Sequence, residues 1–209
     1  MGEKKGDYYR SLYELAALLN SARGPKTVLR GIVEGVAKAT GAKACSLMLL
    51  TPDRKVLMHT VAYGLSDWYL RKGPLSADKI ISEALAGKPV AILNAPEDER
   101  VMYREQARKE GIASILCVPV KLRGEVIGVL RVYTAKPYRF TKDDIYFVET
   151  VANVGAVALE HLRAYDLIQK DYEAFRRDML EWRAGMGDEW MVEEDVVPAE
   201  EAPKMAEAG

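Results

Sequence analysis

Residues 112–133 read IASILCVPVKLRGEVIGVLRVY, and this stretch decides the fold. Two apolar runs rich in β-branched residues flank a short polar segment, residues 121–125, which contains a glycine. Strand-forming runs on either side of such a turn are typical of an antiparallel hairpin. The sequence therefore predicts two neighbouring antiparallel strands in the second half of the chain.

The second arm of this hairpin has two unlike faces. Gly128, Leu130 and Val132 fall on one face. Arg131 and Tyr133 fall on the other, because successive side chains of a strand point to opposite sides. A guanidinium that is buried without a partner costs several kcal/mol. We therefore expect Arg131 to pair with an anion, to reach water or to bind a ligand.

The composition is that of an ordinary soluble globular protein. Of the 209 residues, 49% are hydrophobic and 29% are charged, which suits one domain with extensions. The net charge of −1 gives no overall field that would attract nucleic acid or a membrane surface. There is no run of about 18 apolar residues, and the N-terminal residues lack the apolar centre of a signal peptide. We therefore expect a cytoplasmic protein with neither a nucleic-acid partner nor a membrane span.

The residues that could carry covalent or metal chemistry are few. Cys45 and Cys117 are the only cysteines, and each stands in an apolar run, so we expect both to be buried in strands. His59 and His161 are too far apart in the sequence to form a recognisable metal motif. No nucleophile–base pair or phosphate-binding loop is apparent, so we expect neither an enzymatic activity nor a cofactor.

Apolar periodicity and turn residues predict helices and strands along the whole chain. Helices are predicted over residues 7–23, 25–40, 78–86 and 99–110, strands over 44–50, 55–63 and 89–93, and disorder over 1–6. Thr141 and Asp144 have the spacing of a capping box that opens a long last helix. Antiparallel strands between terminal helices indicate an α+β fold with one central sheet.

The last helix carries an apolar seam beyond the length that one domain core would cover. Its members follow one another at spacings of three and four residues: Tyr165, Ile168, Tyr172, Phe175, Met179 and Trp182. This spacing is typical of a coiled coil. We favour pairing of residues 164–183 between two subunits of a homodimer; the alternative is that this stretch folds back on its own domain. The acidic residues and prolines of 184–209 predict a disordered tail.

Four sequence segments occur in an order and at a spacing that known proteins share. They are GAKACSLMLL at 41–50, GIASILCVPV at 111–120, GEVIGVL at 124–130 and FTKDD at 140–144. On these segments, residues 12–180 resemble a GAF domain, a small-molecule-binding regulatory module related to PAS domains. We take residues 7–163 as the domain itself.

The resemblance implies a central antiparallel sheet of five or six strands with the terminal helices on one face. The other face would form a ligand pocket under residues 64–110. The residues expected to line this pocket are Ser46, Met48, Tyr63, Trp68, Tyr69, Ile80, Ile81, Tyr103, Arg131 and Tyr133. Arg131 would anchor a small anionic or carbonyl-bearing ligand. The alternative is an internal ion pair between Arg131 and Asp67, Asp78 or Glu83.

The resemblance also narrows the choice of ligand. Cyclic-nucleotide-binding GAF domains have an acidic residue where this chain has Arg131, and an Asn-Lys pair where it has Thr134 and Ala135. Tetrapyrrole-binding GAF domains use a Cys-His attachment or a haem-ligating histidine, and neither cysteine of this chain has a neighbouring histidine. GAF-type methionine sulfoxide reductases use several cysteines around the pocket, a set that this chain lacks. None of these three ligand classes is therefore favoured.

Two functions of different kinds follow. In the first, the chain is a sensory module in which ligand occupancy changes how the last helices pair, and a separate signalling protein receives the output. In the second, side chains fill the pocket and the protein is a ligand-free dimeric adaptor. A reductase-like activity through Cys45 or Cys117 is a third interpretation.

Overall fold

A computed structural model describes residues 2–20, 25–51, 53–71, 75–76 and 82–185. Ile80, Ile81 and the tail from residue 186 onward, for which disorder is predicted, lie outside these described residues. The chain divides into two units, residues 1–164 and 165–209. The first unit contains the sheet, and the second begins within the last helix.

The described residues form six helices and six strands. The helices are α1 (Gly2–Asn20), α2 (Pro25–Thr40), α3 (Asp67–Leu70), α4 (Ser82–Leu85), α5 (Arg104–Glu110) and α6 (Lys142–Gly185). The strands are β1 (Ala44–Leu50), β2 (Val56–Tyr63), β3 (Leu75–Ser76), β4 (Val90–Ile92), β5 (Ser114–Leu122) and β6 (Glu125–Thr134). The strands pair antiparallel in one six-stranded sheet of order β3-β2-β1-β6-β5-β4. The predicted α+β class and its central sheet of five or six strands are confirmed.

The N-terminus differs from the prediction. Helix α1 begins at Gly2, so residues 2–6 are helical, whereas the sequence predicted disorder over residues 1–6 and a helix from residue 7. Glu and Lys have a high helix propensity, and residues 3–5 are Glu, Lys and Lys, which is compatible with an additional turn at the start of α1.

The hairpin predicted within residues 112–133 is formed by β5 and β6. Leu122 pairs with Glu125, so the connecting turn is Arg123-Gly124. Both turn residues have positive φ, 51° and 87°. This is the backbone of a type I′ turn, whose twist matches that of the flanking strands. The hairpin prediction is confirmed.

Strand β6 lies between β1 and β5 and separates two cores. Its Leu130 and Val132 belong to the core that α1, α2 and α6 form against one face of the sheet. Its Val129 and Tyr133 belong to a second core, to which α3, α4 and α5 contribute. We call this second side of the sheet the lid face. The alternation read from the sequence therefore assigns the residues of β6 to the correct faces.

A hydrogen-bonded carboxylate holds the first turn of α6. The backbone N of Thr141 donates to Oδ2 of Asp144 at 2.6 Å, and the backbone N of Asp144 donates to Oγ1 of Thr141 at 3.2 Å. The predicted capping box is therefore confirmed. The hydroxyls of Tyr138 and Tyr8 also donate to Asp144, that of Tyr138 at 2.9 Å. The Tyr8 ring stacks on Phe147 with centroids 4.3 Å apart, so Asp144 joins α1 to the start of α6.

We expect Asp144→Asn to lower the free energy of unfolding by about 1–3 kcal/mol, because an amide cannot accept all the hydrogen bonds of the carboxylate. Burial alone would raise the pKa of Asp144, but hydrogen bonds from Tyr8, Thr141 and Tyr138 outweigh it and hold that pKa below its usual range. The stabilisation is therefore present above about pH 4 and is lost as the pH falls through the lowered pKa. Urea denaturation of both proteins between pH 7 and pH 3 measures the difference.

Asp143→Asn is the matched control for this prediction. It removes the same charge from the same helical turn, and its side chain is only partly buried. We expect a smaller loss of stability than for Asp144→Asn, because the Asp143 side chain is less buried. Equal losses for the two variants would contradict the assigned role of Asp144.

Candidate ligand-binding site

Arg131 lies near the middle of the lid face. Its cross-strand partners are Ser46 on β1 and Cys117 on β5. The same row continues to Ala62 on β2 and Val90 on β4. Residues directly opposite each other in antiparallel strands share a face. A guanidinium, a hydroxyl and a thiol therefore stand side by side across the sheet.

Arg131 is buried, and the described residues provide no counter-charge for it. The residue is 3% exposed, and its Nε atom has no hydrogen-bond partner. Its Cζ atom lies 5.4 Å from the centroid of the Tyr133 ring, a cation–π contact. Within the described part of the chain no carboxylate forms an ion pair with Arg131. The alternative prediction, an internal ion pair with Asp67 or Glu83, is therefore wrong. Asp78, the third predicted partner, lies outside the described residues.

Two tyrosines lie next to Arg131. The Tyr133 hydroxyl and the Ser46 hydroxyl form a hydrogen bond of 3.0 Å. The ring of Tyr69, which belongs to α3, meets the Tyr133 ring edge-on, with centroids 6.3 Å apart and an angle of 83° between the planes. Helix α3 thus places an aromatic ring against the Tyr133 ring on the sheet.

Three titratable neighbours of Arg131 are neutral at physiological pH. Burial raises the pKa of the Cys117 thiol to about 12. Burial likewise raises the pKa of Tyr69 and of Tyr133 above the usual tyrosine value. None of these three residues therefore supplies a negative charge at pH 7. With respect to these neighbours Arg131 is a buried cation among neutral groups, an arrangement that a bound anion would stabilise.

A second set of polar contacts fastens α3 to the domain. Ser66 caps α3 and accepts a hydrogen bond from the backbone N of Tyr69 at 3.1 Å. Glu110, at the end of α5, accepts hydrogen bonds from the backbone N of Ser66 at 2.9 Å and from its hydroxyl. Nζ of Lys43, just before β1, lies 3.5 Å from the same carboxylate. We call Ser66, Glu110 and Lys43 the α3 clasp.

Tyr63 does not lie on the lid face, so its predicted place in the site is wrong. It pairs with Cys45 and packs against the core beneath the terminal helices. The reason is a β-bulge in β2, where Thr60 has no paired residue on β1. One extra residue reverses the alternation of the strand beyond it, because successive side chains point to opposite faces.

Trp68 is exposed, so its predicted place in the pocket is also wrong. The residue is 51% exposed and lines a surface hollow with Asp67, Arg71 and Gln106. Its neighbour Tyr69 is buried instead. Successive side chains of a helix are about 100° apart, so a single turn cannot bury both aromatic residues against one sheet.

The other described candidates lie on the lid side of the sheet. Ser46, Met48, Tyr69, Arg131 and Tyr133 are buried there, and Tyr103 is partly buried against the same core. Ile80 and Ile81 lie outside the described residues. The role of all these residues in ligand binding stays a prediction.

The sequence did not predict the parts that Cys117 and the α3 clasp have in this site. A β-bulge near the hairpin turn shifts the pairing of β5 and β6 by one residue. Counting residue pairs back from the turn without this bulge would place Cys117 opposite Leu130, on the face of the terminal helices, rather than opposite Arg131.

The α3 clasp joins residues that are far apart in the sequence. Ser66 and Glu110 are 44 positions apart, and no local pattern joins them. Only the preference of serine for a helix N-cap could have suggested part of the clasp.

The chemistry that the described residues allow is limited. Cys45 and Cys117 are buried and free, as predicted. Burial raises the pKa of both thiols, which disfavours the thiolate that nucleophilic or redox chemistry needs. No group of three or more His, Cys, Asp or Glu side chains in the described ranges could hold a metal ion. Among the described helices none is long and apolar enough to cross a membrane.

Comparison with known proteins identifies the family. The family model for the GAF domain matches residues 22–160. The chain belongs to the GAF domain family. The resemblance read from the sequence segments is confirmed, and residues 22–160 include the whole sheet of this domain.

The relatives of this GAF domain are longer proteins. It is 26% identical to a methyl sulfide methyltransferase-associated sensor from Methanosarcina acetivorans, over 63% of this chain and 14% of that protein. It is 28% identical to a Nif-specific regulatory protein from Azospirillum lipoferum, over 79% of this chain and 28% of that protein. The chain therefore spans 28% or less of the length of these relatives.

A solved structure shows the same fold. The GAF domain of a phosphoenolpyruvate-protein phosphotransferase from Coxiella burnetii superposes with a TM-score of 0.69 at 21% identity. The superposition covers 77% of this chain and 97% of that domain. The fold of this chain, with one antiparallel sheet and terminal helices, is thus a known architecture.

We expect Glu110→Gln to loosen α3, because the amide loses the charge that strengthens its contacts with Ser66 and Lys43. Backbone amides of residues 66–71 should exchange hydrogen at least tenfold faster, as measured by hydrogen–deuterium exchange with mass spectrometry. Glu105→Gln is the control: it removes the same charge from α5, in an exposed pair 2.8 Å from Arg108. Similar acceleration in both variants would contradict the clasp.

Proposed function

We propose that this GAF domain is a sensory module that binds a small anionic molecule on the lid face. In this proposal the domain binds and does not catalyse, and occupancy reaches a separate signalling protein through paired α6 helices. Relatives that are a sensor and a regulatory protein support the sensory class. Polar anchors on rigid strands beneath short helices are typical of small-molecule sites.

The uncompensated charge of Arg131 carries the proposal. Burying a cation without a partner costs several kcal/mol, so the domain gains stability when an anion binds beside it. A hydrogen bond to a charged group contributes roughly 1.5–3 kcal/mol, which supports useful affinity only together with apolar contact. Met48, Tyr69 and Tyr133 form part of the apolar core on this face and would provide that contact.

A ligand-free dimeric adaptor is the second candidate function. The packing of the lid face favours it, because Met48 and Tyr133 are both 0% exposed and side chains therefore fill much of the space beside Arg131. In an adaptor, Arg131 would be a structural residue whose charge is stabilised by the Tyr133 ring. The two candidates differ in what a substitution of Arg131 should do.

We expect Arg131→Met to raise the melting temperature of the ligand-free protein by several degrees. The methionine keeps most of the packing volume and removes an unpaired buried charge, a gain of roughly 1–4 kcal/mol. We also expect native mass spectrometry to find a small molecule retained by the wild-type protein from its own host and absent from Arg131→Met. Differential scanning calorimetry after unfolding, dialysis and refolding gives the ligand-free comparison.

Arg139→Met is the control, since it removes the same charge from an exposed position in the loop before α6. It should change neither the melting temperature nor the retained molecule. A lower melting temperature for Arg131→Met, with no molecule retained by the wild-type protein, would favour the adaptor and contradict ligand sensing.

Helix pairing in this proposal uses the seam of the second unit. Tyr172, Phe175 and Met179 are 62%, 64% and 48% exposed. Exposed apolar side chains at spacings of three and four on one helix favour a partner helix. The remaining members of the predicted seam have side chains outside the described set: Tyr165, Ile168 and Trp182.

We expect Phe175→Glu combined with Met179→Glu to convert a dimer into a monomer, because two carboxylates in each seam would be buried against one another. Light scattering after size-exclusion chromatography measures the mass. Arg177→Glu places a charge on another side of the same helix and should leave the dimer intact. A monomeric wild-type protein, or a double variant that keeps the dimer mass, would contradict the pairing.

A further inference from the structure

We propose that the anion bound on the lid face is a small monocarboxylate, held side-on by Nε and one terminal nitrogen of Arg131. This inference rests on the proposed sensory function and narrows the chemical class of its ligand. Three features of the described residues carry it: the unsatisfied edge of the guanidinium, its single positive charge and the neutral side chains beside it.

The first feature is the unsatisfied edge. Nε of Arg131 has no hydrogen-bond partner, although the residue is only 3% exposed. In a guanidinium, the Nε–H and one terminal N–H point in the same direction and form a fork that matches the two oxygens of a carboxylate. The Cζ atom of this group lies 5.4 Å from the centroid of the Tyr133 ring. In this proposal a planar anionic head lies in the plane of the guanidinium, where both N–H groups of the fork donate to its oxygens.

The second feature is the charge of the site. Among the described residues, Arg131 and Asp144 are the buried charged residues, and Asp144 belongs to the turn that opens α6. The Glu110 side chain is also only 6% exposed, and it is paired with Lys43 in the α3 clasp. One buried positive charge is neutralised by one negative charge. A phosphate monoester carries nearly two negative charges near pH 7, and the second charge would be left without a partner in a desolvated site.

The third feature is the set of neutral neighbours. The hydroxyls of Ser46 and Tyr133 are 3.0 Å apart. One of them donates to the other, so the second keeps a hydrogen that a ligand oxygen can accept. Met48, Val129 and Tyr69 add apolar surface on the same face. A carboxylic acid with a hydrocarbon body satisfies these neighbours, whereas a second charged group on the ligand would find no partner among them.

The test is a panel of ligands that share a phenyl ring and differ in the head group. The head group of benzoate is planar and carries one negative charge, and that of benzamide is planar and neutral. The head group of benzenesulfonate is tetrahedral with one negative charge, and that of phenyl phosphate is tetrahedral with nearly two negative charges. Acetate and butyrate, with their amides, extend the carboxylate series to smaller bodies. Thermal shift and isothermal titration calorimetry measure binding to the full chain. We expect at least one carboxylate to bind at least tenfold more tightly than every other head group on the same body.

Variants of Arg131 test the side-on mode. Arg131→Lys keeps the charge but lacks the fork of two parallel N–H groups, so the carboxylate should bind at least tenfold more weakly. Arg131→Met should abolish the thermal shift, and Arg139→Met should leave it unchanged. Full carboxylate affinity in Arg131→Lys would overturn the side-on mode.

The remaining outcomes separate this inference from the function on which it rests. A shift that depends on Arg131 with benzenesulfonate or phenyl phosphate, and with no carboxylate, would overturn the carboxylate class and leave anion sensing standing. No binding of any anion of the panel that depends on Arg131 would overturn both.

Discussion

The pairing of β6 with both β1 and β5 is the constraint on which the rest of the domain depends. Gly128 has no side chain at a point where a Cβ would lie 2.2 Å from the carbonyl oxygen of Met48, so β1 and β6 can approach closely. With that pairing in place, alternation assigns Leu130 and Val132 to the core beneath the terminal helices. A central strand covered on both faces leaves no exposed position for Arg131, and its burial follows from the register.

The part of the structure that contacts this site has little stability of its own. Helix α3 is a single turn, too short to form without tertiary contacts. Its position depends on the clasp between Ser66, Glu110 and Lys43, and on the contact between Tyr69 and the sheet tyrosine. The rigid strands thus hold the cation, while a single helical turn that depends on tertiary contacts covers its neighbours.

The sequence could predict the sheet better than the parts around it. The hairpin, the capping box and the face of Arg131 all follow from patterns within a few residues. The face of Tyr63 does not, because the bulge in β2 depends on how that strand packs on β1. Trp68 and Tyr69 are adjacent aromatic residues of equal local character, and only tertiary contacts decide which is buried. The α3 clasp joins residues far apart in the chain, where sequence periodicity carries no information.

The two faces of β6 also explain how a ligand on one side of the sheet could act on a helix on the other. Arg131 is flanked in the strand by Leu130 and Val132, which pack in one core with Phe147 and Val151 of α6. A bound anion that draws Arg131 toward it would shift its strand neighbours against these side chains, and packed cores respond to such shifts by changing between discrete arrangements. The seam proposed for pairing lies on the same helix, Lys142–Gly185. Coupling by this route needs no contact between the ligand and α6, only a strand whose adjacent residues serve both cores.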